Sequence, residues 1–418
     1  TPTLSVSVDQ ANLQVNGNQV INSTDKTTEI PFNFTVNTNN RTGYTATIST
    51  ETDNTSLSNS TSSTGAKIGS ISSNAELSDL PNNTWGYRFG TSTNYAPIPA
   101  LSSPAQILQT AGKTNGNESN QISIGMKLAD NLESGNYTNK LILSFISNPY
   151  QMRAMMTEGP DFNIKLKALE TAANKIEHFK KSTIAPAASM NAVNIEDEES
   201  DYEIKLWLDP TDKTAYYYTE PEKVYLNEDS SWMFHPDWSS DNSLGNILEL
   251  DLSNFDTSQV TGMHSMFFDM SSLTTLNLSN FNTSNVTNMQ NMFCGMSNLT
   301  TLDLSNFDTS KVEDMNSMFR SMYNLTTLDL SNFDTSKVTD IGYIFHLDDE
   351  DMSEDKLETI YVNNDFDTAK LTYSLKMFTN RKKLRGGNGS YLADPSDADE
   401  TWLRVDRPGV QGYFTRKP

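Results

Sequence analysis

Residues 250–258 read LDLSNFDTS, and the phrase returns as LNLSNFNTS at 276–284 and as LDLSNFDTS at 302–310 and 328–336. Leu252, Leu278, Leu304 and Leu330 hold the same place in each copy, one every 26 residues. A fixed period of that size marks a stack of identical small units, none of which can bury its own apolar face alone. Within one unit Leu276 and Leu278 are two apart, as on one face of a very short strand. Phe281 follows in a turn. Val286, Met289, Met292, Phe293 and Met296 then fall at helical spacing, with Ser284 placed as N-cap. The spacing predicts strand, turn and short helix in every copy, a leucine-rich-repeat solenoid over 247–380.

The wording L(D/N)LSNF(D/N)TSxV, followed by MxxMFxxM at 289–296 and 315–322, resembles the BspA-type leucine-rich-repeat surface proteins of bacteria. The resemblance covers roughly 200–418, including LRGGNGSYLADP and DRPGVQGYFT at 384–415, which is similar to that family's C-terminal cap. It implies an extracellular protein at the bacterial cell surface, an adhesin that binds host matrix proteins, host cells or other bacteria.

Composition narrows the field. With 53 acidic and 30 basic residues the net charge is −23, which repels nucleic acid and anionic membranes. The one cysteine, Cys294, excludes an intrachain disulfide and any CxxC metal site, and it occupies a slot held by Phe268 and Arg320 in flanking copies. No run approaches the roughly 20 apolar residues of a membrane span. No leader or anchor motif is read at either end, so the expectation is that targeting segments have been trimmed.

Residues 1–148 are rich in Ser, Thr and Asn and alternate at Leu4, Val6, Val8, at Ile30, Phe32, Phe34, Val36 and at Ile122, Ile124, Met126. Period-two runs broken by Gly, Asn and Pro predict an immunoglobulin-like β-sandwich. Residues 149–200 place Phe162, Leu166, Leu169, Ala173 and Ile176 at helical spacing and read as a helical linker. Residues 201–246 read as an N-terminal cap with a degenerate first repeat, in which Met233-Phe234 echoes the later Met-Phe pairs and 235–245 is a loop. Residues 381–418 read as the C-terminal cap.

Chemistry is sparse. His178, His235, His264 and His346 have no metal-ligand spacing, and there is no nucleophile elbow, phosphate loop or dinucleotide fingerprint. Neither enzyme activity nor a cofactor is expected. The acidic clusters at 348–355 and 394–400 lack the spaced Asp and Gly of a calcium loop and read as solvated. The aromatics between Trp85 and Tyr95 suggest either strand core or a carbohydrate platform.

Binding is expected on the strand face. The side chains flanking the buried leucines are Glu249, Asp251 and Ser253, then Thr275, Asn277 and Ser279, then Thr301, Asp303 and Ser305, then Thr327, Asp329 and Ser331. Stacking would line them into polar, acidic ridges for a protein or glycan partner. Asn254, Asn280, Asn306 and Asn332 read instead as a hydrogen-bonding ladder for the turns. A structural coat or stalk component is the rival reading, and a carbohydrate-active protein using the N-terminal aromatics is a third.

Overall fold

Alternation of apolar with Thr, Ser and Asn side chains carries the first part of the chain into strands. The computed structural model describes residues 2–236, 243–348 and 355–418, in two units, Thr1–Gln151 and Met152–Pro418. The first holds β1 (Leu4–Val8), a helix α1 (Gly17–Ile21), β2 (Thr27–Thr38), β3 (Tyr44–Thr50), β4 (Leu57–Ser58), β5 (Lys67–Ser70), β6 (Ala75–Glu76), β7 (Thr84–Phe89), β8 (Asn94–Tyr95), β9 (Ala105–Gln109), β10 (Glu118–Lys127) and β11 (Leu141–Ser147). One sheet runs β1-β2-β10-β7-β5-β4, a second β11-β3-β9 and a third β6-β8.

Phe34 of β2 meets Phe145 of β11 edge to face at 5.1 Å, so the two larger sheets share one core. The immunoglobulin-like arrangement expected for 1–148 does not form. β5 runs parallel to β7, and the sheets are of six, three and two strands.

The second unit holds β12 (Ala154–Met155), α2 (Gly159–Lys167), β13 (His178–Lys181), β14 (Val193–Asn194), β15 (Lys205–Asp209), β16 (Thr214–Tyr218), β17 (Val224–Tyr225), β18 (Glu249–Leu250), β19 (Phe255–Asp256), β20 (Thr327–Asp329), β21 (Thr359–Val362) and β22 (Phe414–Arg416). Its sheets run β14-β15-β16-β13-β18, β12-β17-β19 and β20-β21-β22. From Met152 on, the anticipated linker 149–200 is part of this unit. α2, with Pro160 in its first turn and an Asp161–Lys165 pair at 2.7 Å, buries Phe162 against Phe179 and Phe234 at 5.8 and 5.6 Å. β13 then enters the five-stranded sheet between β16 and β18, so neither element is free to act as a tether.

The expected leucine-rich-repeat solenoid of strand-and-helix units is also corrected. The chain is mostly β in several small sheets, with 27% strand and 6% helix, too little helix for one in every copy. Among the described residues α1 and α2 are the α-helices, and neither lies in 247–380.

Backbone sign is the reason. Ser265, Asn291, Ser317 and Tyr343 have φ of 55, 54, 55 and 57°, and Asp269, Gly295 and Ser321 have φ of 63, 77 and 56°. A left-handed residue every four positions ends each helical turn as it begins. What forms is a run of tight turns: Met292 N–H donates to Met289 O, Cys294 N–H to Asn291 O and Met296 N–H to Phe293 O. The intervening donors cross to the next copy, from Met289 to Asp314 O, Asn291 to Asn316 O, Phe293 to Met318 O and Gly295 to Arg320 O. Ser284 is not an N-cap, since its hydroxyl donates to Asn282 Oδ1.

The inside of each copy is nonetheless the one the spacing implies. Val286, Met289, Met292, Phe293 and Met296 are fully buried, and Phe267, Phe293, Phe319 and Phe345 stack at about 6 Å along the unit. Phe234 continues the row at 6.0 Å from Phe267, its N–H donating to Met266 O, and Phe378 extends it at 5.3 Å from Phe345. Leu252, Leu278, Leu304 and Leu330 are buried in register. The far end closes over Arg381, whose buried guanidinium donates to Phe345 O, Met322 O and the buried Asp355 carboxylate at 3.0 Å.

Candidate binding surface

Of the twelve residues expected on a strand face only Glu249, Thr327 and Asp329 lie in strands; 275–279 and 301–305 form none, and local hydrogen bonds hold one side chain in each copy. Asp251 Oδ1 accepts from Ser253 N–H at 3.1 Å, Asn277 from Ser279 at 3.0 Å, Asp303 from Ser305 at 2.9 Å and Asp329 from Ser331 at 3.0 Å. Such Asx turns fix a carboxylate or amide without a long-range partner. Glu249, Asp251, Ser253, Thr275, Asn277, Ser279, Thr301, Asp303, Ser305 and Thr327 are exposed, whereas Asp329 and Ser331 are half-buried. Ten of the twelve thus reach the surface.

Their register comes from beneath. Asn280 Nδ2 donates to Leu252 O and Phe255 O, Asn306 to Leu278 O and Phe281 O, and Asn332 to Leu304 O and Phe307 O, all at 2.6–2.9 Å. Buried Thr257, Thr283 and Thr309 add reciprocal bonds, each hydroxyl donating to the carbonyl of one residue in the next copy, Asn282, Asp308 and Asp334, and accepting from that same residue's N–H. Sidedness in the sequence marks both ladders.

Hydrogen bonding favours the ionised form of Asp303 and Asp329. Hydrogen bonds from Ser305 hold Asp303 below the ordinary carboxylate range. At Asp329 partial burial raises the pKa, but hydrogen bonds from Lys417 and Ser331 outweigh it and the net direction is down. Two members carry a cationic or imidazole neighbour, His178 Nδ1 at 3.2 Å from Glu249 and Lys417 on Asp329.

The other candidates resolve differently. Trp85, Tyr87 and Tyr95 are 3, 7 and 1% exposed, and Trp85 Nε1 donates to Thr55 O, so these rings are core and offer no carbohydrate platform. Beside them lies an open cleft of about 430 Å³, lined by Asp25, Glu29, Glu76, Arg88 and Tyr95 among others, where Glu29 is engaged by Arg88 and Tyr95. Cys294 is buried, and burial pushes its thiol up to about 12. Asp348 pairs with Arg320, while Asp394 and Asp399 accept from main-chain N–H groups two residues on. The rest of the acidic insertion at 349–354, and 237–242 of the anticipated loop, lie outside the described residues, among which no group of three metal-ligating side chains occurs.

A second face escaped the sequence reading. Where Ser265, Asn291 and Ser317 sit in the middle copies, Trp232 stands before them and Tyr343 after them, followed by Lys376, and all six residues have a positive φ. Trp232 N–H donates to His264 O and Tyr343 N–H to Leu375 O, continuing the ladder between copies. The signal was the Met-Phe alignment of 233–234 with 266–267, which places Trp232 opposite Ser265.

Residues 233–355 and 297–395 match the family described as Mycoplasma protein of unknown function, DUF285, and together the two matches span less than half of the chain. No curated protein and no solved structure matches it.

Proposed function

We propose that the chain is a non-enzymatic attachment protein of a bacterial cell surface, whose acidic strand-face ridge holds a basic patch on a protein of the host, the matrix or a neighbouring cell. One observation carries this reading: ten of the twelve ridge side chains are exposed, in register, with Asp251, Asp303 and Asp329 each anchored by its own Asx turn. Anchored side chains lose little freedom on binding, so many shallow contacts can add along a rigid face. The resemblance to BspA-type surface proteins supports the extracellular setting.

The test is capture of immobilised basic matrix proteins, and of partner cells, by the whole chain. Saturable binding should weaken as salt rises, because exposed charges are screened beyond about 8 Å at 0.15 M ionic strength. The triple variant Asp251→Asn, Asp303→Asn, Asp329→Asn should lose it while keeping its fold. Binding that the triple variant retains would move the site off the ridge, and none to any surface tried would leave a coat or stalk role in its place.

A further inference from the structure

Side-chain size shapes the second face as a trough: the bulky Trp232 and Tyr343, both half-buried, flank the smaller Asn291, half-buried, and Ser265 and Ser317, which are buried and out of a ligand's reach. Four copy spacings of about 4.7–4.9 Å separate the two rings, roughly 19 Å. Each wall is braced. Trp232 packs edge-on against His264 at 6.1 Å. At the other end Tyr343 stacks with Tyr373 at 6.4 Å under the Arg320 guanidinium at 5.4 Å. Tyr373 lies there because its neighbour is Gly342, where a Cβ would come within 2.3 Å of the ring; the equivalent places in earlier copies hold His264, Gln290 and Asn316.

Polar groups run beside the floor. Asp314 and Asp340 face adjacent copies joined by a parallel bridge, and each uses Oδ1 for a main-chain N–H, of Asn316 at 2.9 Å and of Gly342 at 3.0 Å. Asn316 Nδ2 also donates to Asp340 Oδ1 at 2.9 Å. Among the described residues Asp314 Oδ2, Asp340 Oδ2 and the side-chain amides of Gln290 and Asn291 have no hydrogen-bond partner. The main chain beneath is consumed by the ladder between copies, so a peptide finds no free strand edge to pair with.

We propose that this trough binds a neutral polysaccharide laid along the stack, its sugar faces on Trp232 and on Tyr373, which Tyr343 backs, and its hydroxyls on Asp314, Asp340, Gln290 and Asn291. Ring faces suit the apolar C–H side of a pyranose, and carboxylates and amides suit its hydroxyls. A uronic acid polymer is repelled by the two carboxylates and by the net charge of −23. The site stands apart from the acidic ridge, and either can fail without the other.

Affinity electrophoresis of the whole chain tests it, in gels carrying soluble mannan, laminarin, hydroxyethyl cellulose or, as the acidic control, polygalacturonate. At least one neutral polymer should retard the chain and polygalacturonate should not. Tyr373→Ala and Trp232→Ala should each weaken the retardation about tenfold, with Asp303→Asn on the ridge leaving it unchanged. Unaltered circular dichroism and melting establish that each variant is folded; Tyr373, at 36% exposure, keeps the test decisive if Trp232→Ala does not fold. Equal mobility in every neutral gel, undiminished retardation of the Tyr373→Ala variant, or stronger retardation by polygalacturonate would each overturn the proposal.

Discussion

Glycine should stabilise this protein at places where it would weaken a helix. Lys376 and Ser265 have φ of 52 and 55°. A left-handed residue with a Cβ costs roughly 1–2 kcal/mol, and glycine returns about 0.5–1 of that through its greater freedom in the unfolded chain. Measured against alanine, to cancel the loss of the side chain, Lys376→Gly should therefore be more stable by about 0.5–1 kcal/mol. In a helix the order reverses, with glycine about 1 kcal/mol worse than alanine. Urea denaturation followed by tryptophan fluorescence reads the difference, because Trp207, Trp232 and Trp402 report on the second unit and Trp85 on the first. The Ser265 pair repeats the measurement at a buried site. Alanine equal to or better than glycine at both positions would refute the turn-based account of the copies.

Asn306→Ala should cost about 1–3 kcal/mol in the same assay, since Leu278 O and Phe281 O lose their shared donor. Arg381→Met should cost about 3–5 kcal/mol by stranding the buried Asp355, and the double variant with Asp355→Leu should recover most of it; a double variant no better than the single would count against an uncompensated charge as the cause. Burial, then the nearby Arg320 cation, holds the His346 pKa below its ordinary value, against the opposing pull of Asp348. Its contribution is therefore complete above about pH 6.5 and is lost as pH falls through the lower folded value. Melting temperatures between pH 7.5 and 5 should fall less for His346→Phe, the residue that Phe268 supplies in the same slot, and an equal fall would exclude His346 as the source.

The side of each residue was legible in the copies, because burial follows spacing whatever the backbone does between. Val286, Met289, Met292, Phe293 and Met296 face inward as read, and Asn280, Asn306 and Asn332 form the ladder their invariance within the chain suggested. The element was not legible from that spacing alone. Steps of three and four fit a helix and a chain of tight turns equally, and the deciding residues were the small polar ones between the methionines. Asn291, Gly295 and Asp269 are types that tolerate a left-handed backbone, which a helix interior does not need. Residues 149–200 misled for another reason: α2 is amphipathic, but its partners Phe179 and Phe234 come from a later strand and a later turn. The trough was hidden because Trp232 stands 33 residues before Ser265, outside the 26-residue phrase.

Every copy offers its successor the same donors that it takes from its predecessor. Excising one whole phrase from the middle, or duplicating one, would leave both junctions chemically matched. Unequal recombination in the coding DNA could therefore change the reach of this protein in increments of about 4.8 Å, with α2 and the Arg381 closure travelling unchanged at the extremities.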